Sequence, residues 1–142
     1  MKKTLLVLLL FLISCNNQKE LSTNFNIDHI KDGVIYEVNI RQYSESGHFN
    51  EFTKDIPKLR ELGVKILWLM PIHPISKTKR KGTLGSYYSI SDYKKVNPEF
   101  GNKEDLDRLI NEAHKNGMLV ILDWVANHTG WDHSWLKNNP DF

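Results

Sequence analysis

The sequence contains a single cysteine and carries a formal net charge of only +2 over 142 residues. With one cysteine the chain cannot form an intramolecular disulfide, so a disulfide-stabilised fold is excluded. The near-balanced charge gives no sign of a nucleic-acid partner, and we predict none. The one local excess of positive charge, Lys77–Lys81, lies among turn-forming residues, which predicts a solvated loop. No Gly-rich phosphate loop follows a predicted strand, which disfavours a nucleotide-binding doubly wound domain.

The first residues have the pattern of an export signal. Lys2 and Lys3 precede an unbroken apolar run, Leu5–Ile13, which is too short to span a membrane as a mature helix. Residues Leu12–Cys15 read Leu-Ile-Ser-Cys and resemble a bacterial lipobox, whose cysteine becomes the lipid-modified first residue of the mature protein. An ordinary secretory signal that is removed together with Cys15 is the alternative.

The lipobox is favoured because the lone cysteine directly follows the apolar run. We therefore predict that residues 1–15 are a lipoprotein-type signal peptide with Cys15 as the lipidation site. Residues 16–28 are polar and lack periodicity, which predicts a tether. The expected protein is exported and anchored to a membrane by acyl chains, in the outer membrane or at the cell surface.

Three segments are predicted to be strands. Gly33–Arg41 mixes β-branched and aromatic residues with polar ones, as a half-buried strand does. Val64–Met70 and Met118–Val125 are apolar apart from Lys65 and Asp123, which is typical of strands buried on both faces. Two segments between them carry apolar residues at helical spacing.

The first helix is expected to begin around Thr53–Asp55, because Pro57 is tolerated only in a first turn, and to end at Gly63. The second is predicted over Lys103–Asn116 with Asn102 as its N-cap. The resulting order of strand, helix, strand, helix and strand predicts an α/β fold with a parallel sheet.

Polar residues lie at the end of the third predicted strand and just after it. Asp123, Asn127 and His128 lie at its carboxyl end, where α/β folds bind their ligands. A long loop, from His73 to about Asn102, separates the second strand from the second helix, and loops of this length are usually functional. The sequence therefore predicts a functional site where the third strand stops.

Four segments, in this order, resemble the α-amylase superfamily of glycoside hydrolases, known as family 13. Asp123–His128 matches the D-x-x-x-N-H motif after the third barrel strand, Tyr88–Tyr93 resembles the Y-x-x-x-D-Y/F segment, Ile66–Pro71 resembles the second strand, and Val96–Gly101 resembles the stretch before the second helix. The resemblance implies that residues 29–142 are the N-terminal portion of a (β/α)8 TIM barrel, with about three strands and two helices present.

The resemblance also implies roles for single residues. The residue matching Asp123 braces an arginine and the active-site carboxylates, and the one matching His128 touches the sugar beside the cleaved bond. Tyr88 would stack on that sugar, while Asp92 would bond nearby backbone and fix the loop. Since the family commonly has Gly where this chain has Tyr87, the residues leave open which of the two tyrosines faces the substrate.

Calcium is the one candidate cofactor. Asn127 offers an amide oxygen suited to calcium, and the matching residue binds a structural calcium in many family members. The other ligands usually come from a domain inserted after this strand and from later loops. Trp131 and Trp135 would either add sugar contacts or pack against the fold.

The implied activity is retaining hydrolysis of α-glucosidic bonds in starch-like α-glucans, through two carboxylates roughly 5 Å apart. In the family these groups lie on the fourth and fifth strands, so the nucleophile and general acid are expected beyond Phe142, with Asp123 only in a supporting role. We expect residues 29–142 to be an incomplete catalytic domain that is inactive by itself. The alternatives are a glucan transferase or branching enzyme, and a non-catalytic glucan-binding surface lipoprotein.

Overall fold

The computed structural model describes residue 28, residues 30–139 and residue 141. The predicted signal peptide, its Cys15 and nearly all of the predicted tether lie outside the described residues. In the part of the chain that the structure describes, no helix is long and apolar enough to cross a membrane.

Three strands form one parallel sheet in the order β1-β2-β3, as the sequence predicted. They are β1 (Val34–Val38), β2 (Val64–Leu69) and β3 (Leu119–Leu122). Both Val38 and Leu122 lie opposite Leu69, the last residue of the central strand. The carboxyl ends of all three strands therefore lie level at one edge of the sheet.

The two outer strands are shorter than the predicted Gly33–Arg41 and Met118–Val125. After Val38 the chain enters a one-turn helix, α1 (Ile40–Tyr43), so the end of the first predicted strand was wrong. The reason is the length of the central strand, because a neighbour that continues past Leu69 has no partner for its backbone groups.

The region before β2 forms two short helices, α2 (Phe49–Thr53) and α3 (Ile56–Glu61). Asp55 is the N-cap of α3 and Pro57 lies in its first turn, close to the predicted start. Helix α2 was not predicted. Pro57 has no N–H to donate to the preceding turn, so a single continuous helix cannot form across this segment.

Helix α4 (Lys103–Lys115) is the longest in the described residues and matches its prediction. The Asn102 side chain accepts a hydrogen bond from the Asp105 backbone N at 2.9 Å, and the Asp105 carboxylate accepts one from the Asn102 backbone N at 2.9 Å. Gly117 follows the helix in the left-handed region with φ +67° and stops it. A last single-turn helix, α5 (Ser134–Asn138), was missed because one turn carries no readable periodicity.

The two faces of the sheet differ in what covers them. On one face, strand residues pack with the helices around a buried core that includes Val38, Leu67, Leu69, Phe52, Ile56, Leu106 and Leu109. The register places Ile35, Ile66 and Leu119 together on the other face, with Trp68 and Ile121 beside them. Ile35 is 54% exposed there and Ile121 44%. In a closed barrel this second face is the interior.

Candidate active site

Two chain segments meet beyond the carboxyl ends of the strands, one at residues 86–93 and the other at residues 123–130. Asp123 follows β3 directly, and its backbone N donates to the Leu69 carbonyl at 2.9 Å. The Gly130 backbone N donates to the Ile90 carbonyl at 2.7 Å and fixes the far end of the second segment. These bonds gather the predicted site residues at one edge of the sheet.

The Tyr88 hydroxyl donates to the Asp123 carboxylate, with 3.0 Å between the phenol oxygen and Oδ2. The Tyr88 side chain is 37% exposed, so its ring remains accessible from solvent. Burial of the phenol and its bond to the Asp123 carboxylate raise the pKa of Tyr88 above its ordinary value. The phenol is therefore a neutral donor near pH 7, and it orients the carboxylate.

Tyr87 has different surroundings from its neighbour. Its hydroxyl accepts a hydrogen bond from the Asn39 side-chain amide at 2.8 Å, and the Arg41 guanidinium lies 4.2 Å above its ring. The ring also packs against the hydrophobic core. Of the two tyrosines that the sequence left open, Tyr87 supports the fold and Tyr88 is the one that reaches Asp123.

His128 is held by protein groups on both ring nitrogens. Nε2 lies 3.0 Å from the Tyr88 carbonyl, and Nδ1 lies 3.2 Å from the Asn127 side-chain amide nitrogen. Because a carbonyl only accepts, Nε2 carries the proton and Nδ1 accepts from Asn127. A sugar hydroxyl that binds His128 would compete with the Tyr88 carbonyl for the Nε2 proton.

Calcium at Asn127 stays a prediction from the resemblance. Calcium takes six to eight oxygen ligands, and Asn127 offers one amide oxygen. Among residues 28, 30–139 and 141, no three or more His, Cys, Asp or Glu side chains are grouped so that they could hold a metal ion.

The long loop after β2 is pinned by several of its own side chains. Asp92 accepts from the Lys94 backbone N at 2.8 Å and pairs with the Lys95 ammonium at 3.0 Å, and these contacts hold the pKa of Asp92 below its usual value. The Tyr93 hydroxyl reaches two backbone carbonyls of the 123–130 segment. Tyr93 closes the Y-x-x-x-D-Y/F segment, but the sequence predicted no role for it.

The basic run was predicted to be a solvated loop, and this is wrong for Arg80. Its guanidinium is half-buried and donates to the Ser76 carbonyl at 2.9 Å and to the Ile75 carbonyl at 3.0 Å. The other four residues of the run are all exposed, and two of them, Lys79 and Lys81, lie beside a cavity. Arg80 is thus a structural part of the loop, which a charge pattern alone does not distinguish.

The two tryptophans after the motif have different environments. Trp135 stacks on Tyr93, with ring centroids 5.4 Å apart and an interplanar angle of 21°. Trp131 is 64% exposed, and the Lys79 ammonium lies 3.7 Å above its ring. A cavity of about 310 Å³ lies beside Trp131 and is also lined by Tyr88 and His128.

Gly130 is a second position that sequence reasoning missed. A Cβ at this residue would lie 2.4 Å from the Ser76 Cβ and 3.0 Å from the Ile90 carbonyl oxygen. Contacts this short do not occur between real atoms, so only glycine lets the 123–130 segment approach the long loop. The Thr-Gly-Trp sequence after His128 was the available signal.

Comparisons with known proteins agree with this geometry. The family model described as "Alpha amylase, catalytic domain" matches residues 16–141. The α-amylase SusG of Bacteroides thetaiotaomicron is 40% identical over an alignment of 110 residues, which covers 72% of this chain and 15% of that protein. The trehalose synthase of Thermus thermophilus is 39% identical over an alignment of 112 residues, which covers 75% of this chain and 11% of that protein.

A solved structure also resembles the fold of this chain. The crystal structure of an α-amylase from Lactobacillus plantarum has 46% sequence identity and a TM-score of 0.76, and the match covers 79% of this chain and 27% of that one. The predicted fold class is confirmed, because the three parallel strands and their helices correspond to part of a TIM barrel. The chain belongs to the α-amylase catalytic-domain family of the glycoside hydrolases.

Proposed function

We propose that the complete protein that carries this chain is an exported enzyme that hydrolyses α-glucosidic bonds of starch-like α-glucans with retention of configuration. The observation that carries the proposal is the Tyr88–Asp123–His128 cluster at the carboxyl ends of the strands. The chain spans 15% of the length of its Bacteroides relative, so the remaining catalytic groups would come from other parts of the protein.

The residues of this chain would bind and orient the sugar. The exposed face of Tyr88 offers a flat apolar surface to a pyranose ring, and the Asp123 carboxylate fixes the tilt of that ring through the phenol hydroxyl. His128 would give its Nε2 proton to a sugar hydroxyl in place of the Tyr88 carbonyl. Tyr88 and His128 would both hold the bound sugar in the orientation in which its anomeric carbon can react.

The bond-breaking steps would need two further carboxyl groups. One carboxylate attacks the anomeric carbon and forms a covalent glycosyl intermediate, while the other protonates the departing oxygen and then activates water. The transition state resembles an oxocarbenium ion, and the negative charge of Asp123 beside it would lower its energy. Asp123 would also brace a cationic partner, as the family resemblance implies.

Transfer is the second candidate, favoured by the 39% identity to a trehalose synthase. In transfer, a sugar hydroxyl replaces water as the acceptor of the glycosyl group. The two outcomes differ in the product formed from a maltooligosaccharide, because hydrolysis releases one reducing end per cleavage and transfer releases none.

We further propose that the protein is anchored to a membrane by acyl chains on Cys15. The support is the order of two lysines, an apolar run and the Leu-Ile-Ser-Cys junction at residues 1–15. An anchored glucan hydrolase would act on polymers outside the cell.

The test is a kinetic comparison in the complete protein, with maltooligosaccharides as substrates. His128→Ala removes a donor to the sugar and is expected to lower kcat/KM by about 1–3 kcal/mol in barrier, the scale of a lost hydrogen bond to a buried polar partner. Asp123→Ala is expected to lower kcat/KM as well, with some loss of stability. Unchanged kinetics for both variants on every α-glucan would refute the proposed site, and binding of glucan without product would favour the non-catalytic alternative.

A further inference from the structure

The Tyr93 hydroxyl lies between two backbone carbonyls of the segment that carries the site. It contacts the carbonyl oxygens of Val125 and of His128, the latter at 2.7 Å. A phenol has one proton, so the two carbonyls share a single donor. This one hydroxyl therefore holds both ends of the turn from Val125 to His128.

The turn has few other anchors to the rest of the molecule. Asp123 is bonded to Tyr88 and to the backbone of β2, while Gly130 is bonded to Ile90. Between these two points, the Tyr93 hydroxyl and the His128 ring make the long-range hydrogen bonds that the described residues show for this stretch. Loss of the Tyr93 hydroxyl would leave His128 held mainly by its own side chain.

The aim of the hydroxyl is fixed by the rings around it. Ring centroids surround Tyr93 at 5.4–5.6 Å, contributed by His73, Trp124, His133 and Trp135. Burial raises the pKa of Tyr93, so the phenol keeps its proton at neutral pH. Because the surrounding rings hold the Tyr93 ring in place, its protonated hydroxyl fixes the positions of the Val125 and His128 carbonyls.

We propose that Tyr93 is a positioning residue, which sets the backbone of residues 125–128 so that His128 meets the sugar in its productive orientation. The expected effect of Tyr93 on catalysis rests on the proposed function. The restraint of residues 125–128 by the Tyr93 hydroxyl is independent of that function.

The test uses the complete protein and the variant Tyr93→Phe, which keeps the ring and removes the hydroxyl. The matched control is Tyr43→Phe, because the Tyr43 hydroxyl donates to the Asp55 carboxylate at 2.9 Å in the helical layer, away from the site. We expect Tyr93→Phe to lower kcat about tenfold with a smaller change in KM, the size of one lost hydrogen bond. Tyr43→Phe should lower the melting temperature at least as much and leave kcat unchanged.

Two further measurements separate positioning from general stability. If Tyr93 acts through His128, the double variant Tyr93→Phe/His128→Ala should have the same kcat as His128→Ala alone. Hydrogen–deuterium exchange of residues 123–130 should accelerate in Tyr93→Phe and not in Tyr43→Phe. Additive kinetic losses, or unchanged exchange, would overturn the proposal. If the wild-type protein is inactive on every α-glucan, the proposed function is refuted. The hydrogen–deuterium exchange result would still show whether the Tyr93 hydroxyl restrains residues 125–128.

Discussion

Replacing Tyr88 by Phe removes one hydroxyl from the site and keeps the ring that is proposed to face the sugar. The lost contact is a hydrogen bond of 3.0 Å to the Asp123 carboxylate. Hydrogen bonds to charged groups contribute about 1.5–3 kcal/mol, but the Tyr88 side chain is 37% exposed, so water replaces part of the contact. We therefore expect a loss of about 1 kcal/mol in unfolding free energy, and a loss of about fivefold in kcat/KM.

The contribution of the bond itself can be isolated with a double-mutant cycle. Tyr88→Phe, Asp123→Asn and the double variant of the complete protein would be compared by urea denaturation and by kcat/KM on a maltooligosaccharide. We expect a coupling energy of about 1 kcal/mol, because the two side chains interact directly. Tyr43→Phe serves again as a control that removes a phenol hydroxyl elsewhere.

The pH dependence gives a second signature of the Tyr88 phenol, whose pKa is raised first by burial and then by its bond to Asp123. The pKa of Tyr88 is raised in the folded protein, so the folded state holds the phenol proton to higher pH than the unfolded chain. The stabilisation is fully present below the unfolded pKa of about 10 and is lost as pH rises through the raised folded value. As pH rises from about 10 to the raised folded value, Tyr88→Phe should therefore lose less stability than wild type. If the losses of the two single variants are additive and their alkaline profiles match that of wild type, the Tyr88 hydroxyl and the Asp123 carboxylate do not stabilise each other.

The remaining predictions concern the anchor, the long helix, the close approach in the site and the isolated chain. Cys15→Ala should abolish labelling by a palmitate analogue and membrane association, and a variant that is still labelled would contradict lipidation. The pKa of Asp105 is held low by the Asn102 backbone N–H and then by the Asn50 amide. The stabilisation that Asp105 contributes is therefore present above its ordinary pKa of 3.8 and is lost as pH falls through the lower folded value. Asp105→Ala should lower the denaturation midpoint at neutral pH and weaken the dependence of that midpoint on pH in acid. Gly130→Ala should lower stability by about 1–3 kcal/mol, the scale of overpacking, and a Tm equal to wild type would contradict the close approach. Residues 16–142 alone should bind a hydrophobic dye, lack a cooperative melt and show no activity, because one apolar face of the sheet stays open.

Local patterns predicted the framework well. The apolar run Val64–Met70 corresponds to the central strand, and the Asn102-to-Asp105 spacing at the start of α4 is a capping box that can be read from sequence. The parallel order followed from the alternation of strands and helices, since a crossover helix places successive strands side by side. These features depend on residues close together in the chain.

Features set by distant residues were not predicted. Helix α1 replaces the end of the first predicted strand because the length of β2 limits the ladder, and no residue near Ile40 encodes that length. The Tyr93 hydroxyl finds a carbonyl 32 residues away, at Val125, and the Arg80 guanidinium turns inward to its own loop. Which carbonyl a polar side chain reaches depends on the fold, whereas the sequence indicates only that such a group is available.

The proposed function requires that this site serve a retaining enzyme acting on α-glucans. Proton NMR of the complete protein acting on a maltooligosaccharide tests it, if the spectra are recorded before the new reducing end mutarotates. We expect the first product to carry the α-anomeric configuration, because two displacements at the anomeric carbon restore the original stereochemistry. A β-anomer as the first product, or bound glucan with no cleavage at all, would contradict it.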